Sequence, residues 1–218
     1  MRIDFLRPFD DAYREYCLNC HAVTIEWITV DGRKKCICRS CGEQADRAIV
    51  IDPGISWWTD ETGEYWHESA GVFVRDPRRR FLFFQRSAFP FSMTVPAGHV
   101  ERGEAPDRAA ARELMEEVGI RGENLQLIAS DHLLGDVCRR GSDAHLWHAY
   151  LLDVAAASEA TVNDEGGSPV WLSLDDARSH RLTFAVARII ETHSSRLISA
   201  DQERFTAPGH EPEAQEHS

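Results

Sequence analysis

The stretch Gly98-His-Val-Glu-Arg-Gly-Glu-Ala-Pro-Asp-Arg-Ala-Ala-Ala-Arg-Glu-Leu-Met-Glu-Glu-Val-Gly-Ile120 decides how the chain is read. Residues 105–118 carry helical spacing. Pro106 suits a first turn, where its missing N–H costs little. Glu104 and Asp107 sit near the positive N-terminal end, and Gly119 suits the residue just past the helix. At about 100° per residue, Glu113, Glu116 and Glu117 share one third of the helix circumference, and Ala111, Leu114 and Val118 point toward a core. Three carboxylates on one face repel by a few tenths of a kcal/mol per pair. A hard divalent ion such as Mg²⁺ or Mn²⁺, with all-oxygen coordination and a shared phosphate, would turn that repulsion into binding. Arg112 can brace one carboxylate by a bidentate contact.

Around this helix the pattern is α/β from about residue 69 to 200. Ser69-Ala-Gly-Val-Phe-Val74 and Phe81-Leu-Phe-Phe-Gln-Arg86 read as a hairpin across the turn at 75–80. Met93–Val100 reads as a short strand ending in a Pro–Gly loop, Leu125–Ser130, His145–Val154 and Ser168–Leu174 as further strands, and residues 175–180 and 182–198 as helical. Hairpins mixed with helices predict one mixed sheet.

With these elements in place, the spacing is specific: Gly98, five residues, Glu104, seven residues, Arg112-Glu113-Leu114, one residue, Glu116-Glu117, one residue, Gly119-Ile120. It resembles the box of Nudix hydrolases at every defined position, and the flanking strands resemble that family too. The resemblance implies an α/β/α sandwich that cleaves nucleoside diphosphates linked to another moiety. It implies Glu113, Glu116 and Glu117 as Mg²⁺ or Mn²⁺ ligands, joined by the Gly98 carbonyl. Arg112 would orient Glu113, and Glu104 would support the site from behind. In such a reaction, metals polarise phosphoryl oxygens while a carboxylate takes a proton from the attacking water. The base varies within the family; Glu165, in a later loop, is a candidate beside the box glutamates, and that loop also reads as a plain polar turn.

Residues 1–50 form a second unit. Cys17-Leu-Asn-Cys20 and Cys38-Arg-Ser-Cys41 are separated by seventeen residues, with a candidate hairpin between. That is the pattern of a closed, structural four-cysteine Zn²⁺ site, a zinc ribbon. Cys36 could take the place of Cys38. A zinc ribbon before a Nudix domain resembles the NADH pyrophosphatases, but the SQPWPFPxS-type signature of that group is missing here. NAD(H) therefore stands beside ADP-ribose and nucleotide sugars as a candidate substrate. Residues 51–68 read as a connector and 201–218 as an acidic tail.

Hydrophobic residues make up 43% and charged residues 28% of the 218, with a formal net charge of −12. That disfavours nucleic acid or anionic membranes as partners. No apolar run approaches the ~18 residues of a membrane span, so cytoplasm is the expected location, with a small-molecule nucleotide as partner and a homodimer implied by the resemblance. Arg86, at a strand end near the box, is a candidate phosphate contact. Trp57, Trp58, Tyr65 and Trp66 read as packing between units rather than a base-stacking platform. Arg75 and Arg78–Arg80 read as a solvated turn. Histidines 99, 132, 145 and 148 receive no role, and Cys138 reads as an ordinary thiol. The rival class is a silent Nudix and zinc-ribbon binding module that senses a nucleotide or contacts a protein or nucleic acid; retention of every box carboxylate favours catalysis.

Overall fold

A computed structural model describes residues 1–8, 10–157, 162–163 and 166–199. The N-terminal unit contains β1 (Arg14–Tyr16), β2 (Ile25–Val30), β3 (Arg33–Cys38), β4 (Gln44–Ala45) and β5 (Ile49–Ile51). Strands β2, β3 and β4 make a small antiparallel sheet, and β1 pairs with β5. The expected hairpin is the β2–β3 pair, turned at Asp31 and Gly32, both with positive φ.

The larger sheet is built from β6 (Trp57–Thr59), β7 (Tyr65–Arg75), β8 (Phe81–Gln85), β9 (Met93–Thr94), β10 (Ala97–His99), β11 (Gln126–Leu134), β12 (Ala144–Asp153) and β13 (Val170–Leu172). Its main path runs β11-β12-β7-β8-β13, with β6 and β10 also on β7 and β9 on β8. The β12–β7 pair is parallel and the others are antiparallel, so the sheet is mixed. The segment expected to be a connector is partly ordered as strand: β6 and the first residues of β7 lie in this sheet. Trp58 stacks on Trp66 with ring centroids 6.1 Å apart, and Trp57 meets Tyr65 edge-on at 5.5 Å, so these rings clamp a strand pair.

Helices α1 (Pro106–Val118), α2 (Leu174–Ala177) and α3 (Phe184–Ser199) cover the two faces of the sheet. The alternation of β7 sorts its side chains. Ala70, Val72 and Val74 pack with Ala109, Ala110, Leu114 and Val118 of α1. Phe73 faces the other core, with Val186, Ile189 and Ile190 of α3 and Ala177 of α2. Helix between sheet face and solvent on both sides is the α/β/α sandwich, with the four-cysteine unit in front of it. Leu114 is fully buried, which at full burial is worth about 1.5–3 kcal/mol.

Arg75 departs from the solvated reading of its turn. It is buried, donates to both oxygens of Asp153 at 2.7 and 3.0 Å, and donates to the Leu197 and Ile198 carbonyls at 2.6 and 3.0 Å. A guanidinium's fork can serve a carboxylate and the open carbonyls of a helix end together. Arg80 pairs with Asp76 at 2.7 Å.

Candidate active site

The site is organised by the short strand β10 lying against α1. The helix starts on Pro106 with no side-chain cap at Ala105 and ends on Gly119, whose φ of 71° favours glycine and whose N–H donates to the Met115 carbonyl at 3.1 Å. The three glutamates differ in environment. Glu117 is buried, Glu113 is largely covered and Glu116 is exposed.

Each residue of β10 meets a different part of the helix. The Ala97 N–H donates to Glu117 Oε2 at 2.8 Å. A Cβ on Gly98 would stand 2.1 Å from Glu113 Cδ and Oε1, so any side chain there would displace that carboxylate. The His99 carbonyl accepts from Arg112 Nη2 at 3.1 Å.

Arg112 is the brace. Its Nε and Nη2 donate to the two oxygens of Glu104 at 3.0 and 2.9 Å, and its Nη1 donates to Glu113 Oε1 at 2.6 Å. Nη1 also approaches Glu116 Oε2 at 3.4 Å. The hydrogen bonds from Arg112 hold the Glu104 carboxyl below its ordinary range, and Glu104 in turn raises the Arg112 guanidinium further. Like-charged neighbours are thus tolerated because one cation and one backbone N–H already serve them.

These groups line a cavity of about 310 Å³ that Glu113, Glu116, Glu117, Arg86 and the loop residues Arg139 and Arg140 share. The buried Nε of Arg86 has no hydrogen-bond partner among the described residues. Glu165 lies outside the described residues. The residues flanking it approach the site: the Asn163 N–H donates to the Glu117 carbonyl at 3.0 Å, its side-chain amide donates to the Glu116 carbonyl at 3.1 Å, and Gly166 forms a bridge with Arg86.

The four cysteines of the N-terminal unit converge. Cys17 Sγ is 3.6 Å from Cys41 Sγ, and Cys20 Sγ is 3.5 Å from Cys38 Sγ. A disulfide needs about 2.05 Å, whereas a tetrahedral zinc site with Zn–S near 2.3 Å has sulfur–sulfur edges of about 3.8 Å. Cys36 is set apart, donating to the Arg47 carbonyl at 3.1 Å.

One cluster escapes the sequence. His67, His99, Cys138 and His145 each offer a ligand atom, all within 4.8 Å of one another. Burial pushes both His67 and His99 well below the ordinary histidine range, with neighbouring histidine charge adding to the effect. The four residues come from β7, β10, the loop before β12, and β12, with no short spacing to flag them.

Among the described residues no helix is long and apolar enough to cross a membrane. The chain resembles known proteins in both sequence and fold. It is 33% identical over 116 residues to the CMP-5'-(N-acetyl-N-hydroxy-3-aminopropyl)phosphonate hydrolase of Streptomyces rubellomurinus, an alignment covering 50% of this chain and 52% of that protein. The chain thus spans about half the length of that curated relative. Similar solved structures include the NUDIX domain of Shewanella oneidensis NrtR in complex with ADP ribose (TM-score 0.53, 16% identity, 64% of this chain and 94% of that one). They also include the E. coli ORF135 protein (TM-score 0.52, 22% identity, 66% and 99%) and a C. elegans Ap4A hydrolase (TM-score 0.50, 23% identity, 60% and 97%). At these identities the likeness establishes the fold. The NUDIX domain family matches residues 66–192, more than half of the chain, taking in the glutamate site, α1 and the larger sheet except β6 and the first residue of β7, and the chain belongs to that family.

Proposed function

We propose that this protein is a Nudix hydrolase that cleaves a phosphoanhydride bond in a nucleoside diphosphate linked to another group. The observation that carries the reading is the convergence of Glu113, Glu116 and Glu117 with the Gly98 backbone on one cavity, braced by Arg112. The donor set is all oxygen, which fits Mg²⁺ or Mn²⁺. Glu113, Glu116, Glu117 and the Gly98 carbonyl would hold the ion. When bound, it supplies positive charge that polarises phosphoryl oxygens and acidifies water.

The chain's own groups do the rest. Arg112 fixes the Glu113 rotamer, and Glu104 fixes Arg112. Arg86, with a buried nitrogen facing no described partner, is the candidate for a substrate phosphate oxygen. The proton acceptor for attacking water is one of the box glutamates, or Glu165 in the loop whose flanks meet α1 and Arg86. Substrate range is read by the remaining cavity wall. NAD(H), ADP-ribose and nucleotide sugars are candidates, and the CMP-phosphonate relative adds a cytidine-linked phosphonate.

We assign residues 1–50 to a structural zinc ribbon closed by Cys17, Cys20, Cys38 and Cys41, and 69–200 to the hydrolase domain, whose sheet also takes in β6 and the start of β7 from the expected connector at 51–68. The tail at 201–218 lies outside the described residues. The paired free thiols suit a reducing compartment, so we place the protein in the cytoplasm; the family resemblance makes a homodimer the assembly to test.

The test is turnover of a panel of dinucleotides, nucleotide sugars, ADP-ribose and a cytidine-linked phosphonate with Mg²⁺ or Mn²⁺. Turnover of at least one compound, abolished by Glu117→Gln at unchanged melting temperature, is expected. Tight nucleotide binding with no turnover of any compound would establish the silent binding module instead.

A further inference from the structure

We propose that His67, His99, Cys138 and His145 form a second transition-metal site, with zinc the best-fitting ion. It is distinct from both the glutamate face and the four-cysteine cluster. Two edges of the cluster are telling. His67 Nδ1 lies 3.1 Å from His99 Nε2 and 3.5 Å from Cys138 Sγ. A tetrahedron with Zn–N near 2.05 Å and Zn–S near 2.3 Å has nitrogen–nitrogen edges of about 3.3 Å and nitrogen–sulfur edges of about 3.6 Å. The pairs already stand at the separations that ligation demands.

His145 has the orientation of a ligand held from behind. Its Nδ1 lies 3.0 Å from the Asp136 carbonyl and 3.1 Å from Asp136 Oδ2. That fixes the proton on Nδ1 and leaves the Nε2 lone pair for an ion, the usual support of a metal-binding histidine. A Cys138 thiolate and the Asp136 carboxylate supply two negative charges against a divalent cation. His67 and His145 are buried.

Nitrogen and sulfur donors select zinc or a similar ion and reject magnesium. The oxygen set on α1 does the reverse. The two sites are nevertheless adjacent, since His99 directly follows Gly98 in β10. With four protein ligands the new site is closed, so its role is structural. It would fasten the loop between β11 and β12, which carries Asp136, Cys138 and the cavity-lining Arg139 and Arg140, to β7, β10 and β12.

Metal content tests this without any assay of hydrolysis. The full chain is loaded with Zn²⁺, desalted and measured by mass spectrometry for zinc per chain. Cys138→Ser and His145→Asn should each lower the content by one equivalent relative to the parent, whatever the four cysteines hold. Unchanged content in both variants would overturn the site. Zinc-edge X-ray absorption on the unaltered protein covers the case of variants that do not fold. Imidazole nitrogen beside sulfur in the first shell is expected; sulfur alone, or no zinc, overturns the proposal. Catalytic failure of the glutamates would leave both readouts untouched.

Discussion

The glutamate face of α1 and the four-cysteine cluster of the N-terminal unit relate differently to the ions they are suited to hold. Every box glutamate already has a protein partner: Arg112 serves Glu113 and approaches Glu116, and the Ala97 N–H serves Glu117. The helix also packs on a broad core through Leu114 and Val118. The cysteine unit has only small clusters, around Tyr16 and Ile49 and around Cys36, Ala48 and Val50. Four thiols facing one another contribute little cohesion by themselves. An ion at the first site would be a visitor to a finished structure; at the second it would be part of the fold.

The largest effect should come from breaking the second site. Cys20→Ser should unfold the cysteine unit, because structural zinc contributes on the order of 10 kcal/mol of binding free energy to folding. Limited proteolysis should then release residues 1–50 while the remainder survives. An intact N-terminal unit in the variant would show that its small clusters suffice. Next comes Glu113→Gln. The rate should fall roughly 10²–10⁴-fold with little change in thermal melting. A matching collapse of stability would make Glu113 a part of the fold and blur the contrast.

Gly98→Ala lies between the two behaviours. The new methyl must displace the Glu113 carboxylate, costing about 1–3 kcal/mol as overpacking does, with loss of activity as well. Denaturant unfolding measures the first and turnover the second; full activity at parental stability would mean the helix can step aside freely. The smallest effect is a pH dependence. Glu104 has its carboxyl depressed in the folded state by Arg112. Its stabilising contribution is therefore full above the ordinary glutamate range and is lost as pH falls through its lower folded value. Arg112→Gln should flatten that part of the acid unfolding curve; an unchanged slope would mean the pair contributes nothing.

The glutamate site was legible because its chemistry sits in one contiguous stretch. Helical periodicity placed the carboxylates, and fixed spacing placed Gly98 and Glu104. The cysteines were legible for the same reason, though only geometry separates Cys38 from Cys36. The histidine cluster was not, because it is assembled by strand pairing: β7, β10 and β12 bring His67, His99 and His145 together from a stretch of 79 residues. Arg75 was misread for a similar reason. In a run of basic residues nothing local reveals that the first points inward to Asp153 and the end of α3. The tryptophans were legible as packing residues, but their placement in β6 and β7 depends on a strand pairing inside the stretch that reads as a connector.

The notch that Gly98 leaves for Glu113 also bears on which wrong structures the chain can adopt. Strands can slip along their neighbours, and a one-residue slip turns every side chain to the opposite face. Here a slip of β10 by one or two positions in either direction would bring Pro96, Ala97, His99 or Val100 into a gap that cannot hold a Cβ. Misregistered sheets would thus be penalised at the same point that arranges the carboxylates. A single missing methyl group acts as a gauge for assembly, widening the energy gap between the native pairing and its nearest competitors.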